Sequence, residues 1–276
     1  MALSQTMSQI KSSSQRAAAS RLSTAWQGFI ETPAWPILVA IIFVAAWEAY
    51  VRWAGLSRII LPAPSDVFRY MYVNWALLAE HAWPTLYQSV LGFALAVVGG
   101  ILIAVMITQF TTIRRGLYPL VVVFALIPKI SVAPLLTLWF GTGDVARVAL
   151  VYIIAFFPMV VSPASGLMSV DRGLLMMARS FGASKSQIFW KLRIPTSIPY
   201  IFDGMKVAIS LAVIGIIVAE FVTSEKGLGY LIIFATGLLN TTMMLAAIVV
   251  LSVIGLALYF VLEWLEKLVV YWRTSD

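Results

Sequence analysis

The stretch "MMARSFGASKSQIFWKLRIP", residues 176–195, decides how this chain is read. It holds Arg179, Lys185, Lys191 and Arg193, with Arg172 just upstream, and no acid, inside a chain that is 61% hydrophobic and only 11% charged. With so few charges, 276 residues could not cover themselves with a water-compatible surface, so the chain belongs in a bilayer. Within the stretch, Ala178, Phe181, Ile188 and Leu192 fall on related helical faces while Arg179, Lys185 and Lys191 point elsewhere. Gly182-Ala183-Ser184 separates two short helices, and Pro195 and Pro199 are expected to stop regular helix before the next span. A helix-turn-helix too polar to insert and too apolar to be a free loop has two outlets. Either it seats on a protein partner on the cytoplasmic side, or it lies on the headgroups with its basic residues against anionic lipid.

Working outward, a hydrocarbon core of about 30 Å needs roughly 20 mostly apolar helical residues. Six such runs are expected, at 34–53, 87–108, 116–140, 145–167, 207–222 and 242–262, the start of the fifth being the least defined. The apolar run 228–239 is too short to span and reads as an interfacial or re-entrant turn. Short loops rich in Lys and Arg stay in the cytoplasm. With the N-terminus inside, Lys11, Arg16, Arg21, Arg114, Arg115, Arg172, Arg179, Lys185, Lys191, Arg193, Lys206, Lys267 and Arg273 all fall inside. Only Arg52, Arg58, Arg69, Arg147 and Lys226 fall outside. The expected fold is therefore all-α and integral to the membrane, with six transmembrane helices and both termini cytoplasmic. Residues 1–33 form a polar cytoplasmic tail, and 34–270 form a transmembrane domain whose long cytoplasmic loop lies at about 170–200. The tail lacks the apolar region of a secretory signal, although its composition is also that of a mitochondrial transit peptide.

The absence of cysteine removes disulfides and thiolate metal sites, and one histidine, His81, is too few for a histidine-built metal centre. A net charge of +7 is read as orientation rather than as nucleic-acid binding.

The spacing Ala178, Gly182, Leu192, Ile194, Pro195 resembles the cytoplasmic loop of ABC importer permeases, whose consensus is Glu-Ala-Ala, three residues, Gly, nine residues, then Ile-x-Leu-Pro. Met176 and Met177 stand where that consensus has Glu and the first Ala. The resemblance extends through "LPAPSDV" (61–67), "SVLGFALAVVGGILIAV" (89–105), "IPKISVAPLLTLWFGTGD" (127–144), "AFFPMV" (155–160) and "AEFVTSEKGLGYL" (219–231). These fragments are similar to the nitrate/sulfonate/taurine/bicarbonate class, which also includes permeases for aromatic acids, riboflavin and vitamin precursors. The resemblance implies a type I ABC importer permease in the bacterial inner membrane. It implies a homodimer, two ABC ATPase subunits that carry ATP and Mg, an extracytoplasmic substrate-binding protein, and contact with membrane lipid but not nucleic acid. The chain has no G-x-x-x-x-G-K-[ST] phosphate loop, so ATP hydrolysis falls to a partner and no cofactor is expected on this chain. The same resemblance makes Met176, Met177, Ala178, Arg179, Phe181, Gly182, Ala183, Lys185, Ile188, Leu192, Ile194 and Pro195 the coupling segment. Without the consensus Glu, the grip on the ATPase would fall to packing and to Arg179 or Lys185.

Candidates for the translocation path are the polar and helix-breaking residues inside spans. A mid-span Lys costs about 2.5–3.5 kcal/mol on insertion scales, which singles out Lys129 between Pro128 and Ser131. With Pro134 following, the third span is expected to break there and line a cavity. Lys129 either attracts an anionic solute or steadies a gate, or else it snorkels or pairs with a carboxylate such as Glu220. For Glu220 a structural or gating role is expected over ligand contact. Asp203 and Lys206 are expected to pair one helical turn apart, Glu48 to reach water, and His81 to be a solvated surface residue. Gly227 and Gly229 bracket a turn that either faces the binding protein or is an ordinary glycine turn. Gly99, Gly100 and Gly166 suit close helix packing or the dimer seam, with packing the default for small residues in membrane helices. An ion-coupled secondary transporter would need intramembrane carboxylates that spans two to four lack, and an intramembrane enzyme would need a histidine or paired acids in the bilayer.

Overall fold

The computed structural model describes residues 34–271, and among them every regular element is helical. The N-terminal tail, with Lys11, Arg16 and Arg21, and also Arg273 lie outside the described residues. The chain divides into a unit ending at Asp66 and a unit starting at Val67.

In the first unit, α1 (Ala34–Trp53) is an apolar helix of 20 residues, the length a bilayer core requires. The Glu48 carboxylate near its end is partly exposed and accepts from Arg52 Nε at 2.5 Å and from the Ser65 amide and hydroxyl at 3.0 and 2.9 Å. Helix α2 (Pro64–Val73) starts there, with Pro64 opening it and Asp66 in its first turn, where a carboxylate meets the positive end of the helix dipole.

In the second unit, which takes in α2 from Val67 onward, α3 (Trp75–Gln109) is a single helix of 35 residues. It begins well before the expected start at 87, because the polar residues of its first three turns find partners within the fold instead of forming a loop. Pro84 sits inside it and forfeits one intrahelical bond. Helix α4 (Thr111–Leu126) ends at Ile127-Pro128, a single 3₁₀ turn follows at Lys129–Val132, and α5 (Ala133–Phe140) completes a pair bent by 88°. The expected third span is thus broken where Pro128 forces the preceding residue out of the helical region.

Next come α6 (Asp144–Met168), α7 (Arg172–Ser180) and α8 (Lys185–Ile188), then a π-helical turn at Phe189–Arg193 and α9 (Ile194–Thr223). Pro195 and Pro199 do not stop the helix. Pro195 lies in the first turn of α9, where a missing N–H costs nothing, and Pro199 is absorbed a turn later. The short α10 (Leu228–Gly237) and the long α11 (Thr241–Val269) close the chain. Among the described residues, five helices are long and apolar enough to cross a membrane, and the bent pair makes a sixth if it counts as one span.

Helix α6 packs against both α3 and α9. Their shared core holds Ala96, Leu150, Val151, Ile154, Met159, Ala208, Ala212 and Ile216, all buried. Small residues let these backbones approach. A Cβ on Gly100 would fall 2.7 Å from the Met159 carbonyl oxygen, and one on Gly166 would fall 2.9 Å from Ser197 Cα, so both glycines are packing sites as expected. A second core joins α10 to α11 through Leu231, Ala235, Met243, Ala246 and Ala247, with Val67 and Leu78 against it.

Candidate functional site

The basic segment folds as its spacing requires. Asp171 caps α7 by accepting from the Leu174 amide at 2.9 Å. The chain then reverses at Gly182, whose φ of +78° is open to glycine at no steric cost. A capping box starts α8, with Gln187 N donating to Ser184 Oγ at 3.2 Å and Ser184 N donating to Gln187 Oε1 at 2.8 Å. Ile188 is buried, whereas Met176, Met177 and Phe181 are 63%, 54% and 84% exposed. Ala178, Phe181, Gly182, Ala183, Lys191 and Leu192 line a shallow hollow of about 390 Å³ beside the turn. The segment thus presents an apolar ridge flanked by Arg179, Lys185 and Lys191. Ile194 and Pro195 lie beyond the hollow, as the first residues of α9.

At the break after α4, Lys129 does not pair with Glu220. Its Nζ donates to the Ala125 carbonyl at 3.2 Å, at the negative end of α4, and stands 5.7 Å from the centroid of the Phe157 ring. A cavity of about 350 Å³ opens beside it, lined by Phe124, Tyr152, Phe156 and Phe157 among others. Pro128 caps the 3₁₀ turn, and the Ser131 amide donates to the Pro128 carbonyl at 3.0 Å.

Glu220 is 1% exposed, and its partners are the N-terminus of α10 and a stripe on α3. Three successive amides of α10 that lack intrahelical acceptors are taken by side chains. Gly227 N donates to His81 Nδ1 at 3.1 Å, Leu228 N to Thr85 Oγ1 at 2.9 Å, and Gly229 N to Glu220 Oε2 at 2.7 Å. Thr85 Oγ1 in turn donates to Glu220 Oε1 at 2.7 Å. The backbone must approach the carboxylate closely, and a Cβ on Gly229 would lie 2.9 Å from Glu220 Cβ. At Gly227 φ is +122°, which disfavours any side chain, and a Cβ there would collide with the carboxylate itself. The Gly227 to Gly229 turn is therefore pinned by its amides. His81, expected at the surface, is buried and stacks on Tyr230 at 5.8 Å. Because its Nδ1 accepts, a neutral ring carries its proton on Nε2. The Lys206 ammonium, expected to pair with Asp203, forms an ion pair with Glu266 on α11, to which α9 is packed, while Asp203 also acts on it electrostatically.

Beside this cluster Asp144 accepts from Tyr87 Oη, from Gln88 Nε2 at 3.0 Å and from Arg147 at 2.6 Å, and Arg147 also donates to Ser224 Oγ at 2.6 Å. Lys226 Nζ donates to Glu80 at 3.2 Å. Sequence reasoning assigned no role to Thr85, Gln88 or Arg147. The signal for Thr85 and Gln88 is periodic, since 81, 85, 88 and 89 are polar positions at i, i+4, i+7 and i+8 of one helix, whereas Arg147 stands outside any such pattern.

A family model described as "Binding-protein-dependent transport system inner membrane component" matches residues 96–271. The chain belongs to this family. Among its relatives, a probable ABC transporter permease of Haemophilus influenzae is 32% identical over 83% of this chain and 94% of that one. The formylaminopyrimidine transport permease of Halalkalibacterium halodurans is 32% identical over 87% and 96%. The taurine transport permease of Escherichia coli is 26% identical over 84% and 87%. In fold, the chain matches a solved structure of the MetNI methionine ABC transporter with a TM-score of 0.61 at 20% identity, covering 71% of this chain and 97% of that one. The all-α permease fold expected from the sequence is thus the fold observed, and the chain is a multi-pass transport subunit of an ABC importer. It is not itself the enzyme, and ATP hydrolysis is done by a partner ATPase.

Proposed function

We propose that two copies of this chain form the translocation path for a small anionic or heteroaromatic solute delivered by an extracytoplasmic binding protein. Two ATPase subunits, carrying ATP and Mg, dock on residues 172–195 from the cytoplasmic side of a bacterial inner membrane, and both termini of the permease lie on that side. Transported solutes named for relatives include formylaminopyrimidine, riboflavin and taurine, so the class is bounded and the member is open. The observation that carries the docking role is the uncovered ridge of Met176, Met177 and Phe181 on a turn that Gly182 alone makes strain-free. Closure of the ATPases on ATP would draw the paired loops together, and the helices leading from them would exchange an inward-open path for an outward-open one. Pro128, Lys129 and Ser131 stand on that path, and Glu220 supports it as the anchor of α10. Gly227 and Gly229, expected to face the binding protein, are buried against Glu220, so that contact falls to the exposed Glu225 and Lys226 beside them.

The test is uptake into proteoliposomes holding this chain, its ATPase and its binding protein. Uptake should require ATP and all three components, and uptake by the permease alone would overturn the reading in favour of an ion-coupled carrier.

A further inference from the structure

The cavity beside Lys129 narrows the solute class. It lies between α4 with the 3₁₀ turn and the middle of α6, and it holds about 350 Å³, within the range of small-ligand sites. Its walls are Phe124, Tyr152, Phe156 and Phe157 with aliphatic neighbours, and Lys129 is the one charged group lining it. Tyr152 and Phe156 stand one helical turn apart on the α6 wall, their ring centroids 5.3 Å apart and their planes tilted by 38°.

The Lys129 side chain brings an ammonium to this space. Of its three donors one goes to the Ala125 carbonyl, and among the described residues no carboxylate lies within ion-pair distance. A bare inorganic anion would meet that charge and leave four aromatic rings unused. A neutral ring would fill the walls and leave the charge without a counter-ion. We infer that this cavity binds a planar aromatic ring carrying one anionic group, with the anion on Lys129 and the ring against Tyr152, Phe156 and Phe157. This rests on the permease reading above and sharpens it, because nitrate, bicarbonate and short aliphatic sulfonates have no surface for these walls.

The probe is 4-fluorobenzoate, observed by ¹⁹F line broadening with the full chain in nanodiscs of zwitterionic lipid. Broadening should saturate, and benzoate should reverse it while cyclohexanecarboxylate and acetate do not. Lys129→Arg should keep binding within about threefold, and Lys129→Met should weaken it at least tenfold, with both variants checked for unchanged thermal unfolding. Equal competition by cyclohexanecarboxylate would overturn the aromatic requirement. Unchanged binding by Lys129→Met would reduce the residue to a cap on α4. Loss of the signal in nanodiscs rich in phosphatidylglycerol would mark the cavity as a lipid headgroup site and overturn the solute assignment. Failure of the permease reading is separate, since it would appear as ATP-independent uptake whatever the cavity binds.

Discussion

Replacing Glu220 with alanine removes the acceptor of two buried hydrogen bonds, but the two donors differ in their fate. The Thr85 hydroxyl already lies 3.2 Å from the His81 carbonyl and can turn to it, so its loss is small. The Gly229 amide has no such alternative, and an orphaned buried donor costs about 1–3 kcal/mol. Because about 1.4 kcal/mol is a tenfold change in an equilibrium, exchange of that amide with solvent should quicken by roughly 5- to 150-fold. Glu220→Gln separates charge from geometry. Its amide oxygen can keep the Gly229 amide while its NH₂ donates to Thr85 Oγ1, which still accepts from Leu228 and donates to the His81 carbonyl. Exchange in that variant should stay within about fivefold of the parent, a change of under about 1 kcal/mol. The assay is hydrogen exchange read on peptides covering 224–231 in nanodiscs. Unchanged exchange in Glu220→Ala, or equal damage from the two variants, would refute the anchor.

Other expectations follow from the same contacts. Gly182→Val should leave the protein folded in the membrane, with a cost of roughly 1–2 kcal/mol for the left-handed backbone, yet abolish binding-protein stimulation of ATP hydrolysis; normal stimulation would contradict the docking role. Lys206→Met should destabilise toward the lower end of the ~3–5 kcal/mol seen when one partner of a buried pair is lost, since the Glu266 side chain is only 12% exposed. Adding Glu266→Gln should recover part of that loss, and a double-mutant cycle on thermal unfolding measures it. Gly100→Leu should prevent assembly of α3 on α6, read as loss of monodisperse protein on size exclusion, because the new side chain would overlap the Met159 backbone.

The sequence is most informative where one physical term dominates. Spans rich in aliphatic residues announce themselves by transfer free energy alone, and the break at Pro128 follows from ring sterics. The turn at Gly182 was equally plain, because glycine between two short amphipathic patterns has one use there. What stayed hidden depended on partners distant in sequence. Glu80 and His81 look like loop residues, and this is why α3 was expected to start at 87, yet their partners Lys226 and Gly227 lie 146 positions away. Lys206 is one turn from Asp203 in sequence, but the packing of α9 on α11 brings Glu266 to its ammonium. Glu220 was expected to be structural or gating, and its binding to α10 supports the first of these while leaving the second as a proposal.

The glycine contacts along α3, α6 and α9 carry a consequence for motion. Backbones that touch through Gly100, Gly166 and Gly204 have no flexible side chains between them to take up sliding. Under the proposed alternation of access these three helices are expected to travel together, with the change absorbed where regular helix lapses. Two of the places where regular helix lapses suit that role, Ile127-Pro128 and the π turn at Phe189–Arg193. The second joins α8 directly to α9, so a displacement of α8 reaches the core through a single wide turn.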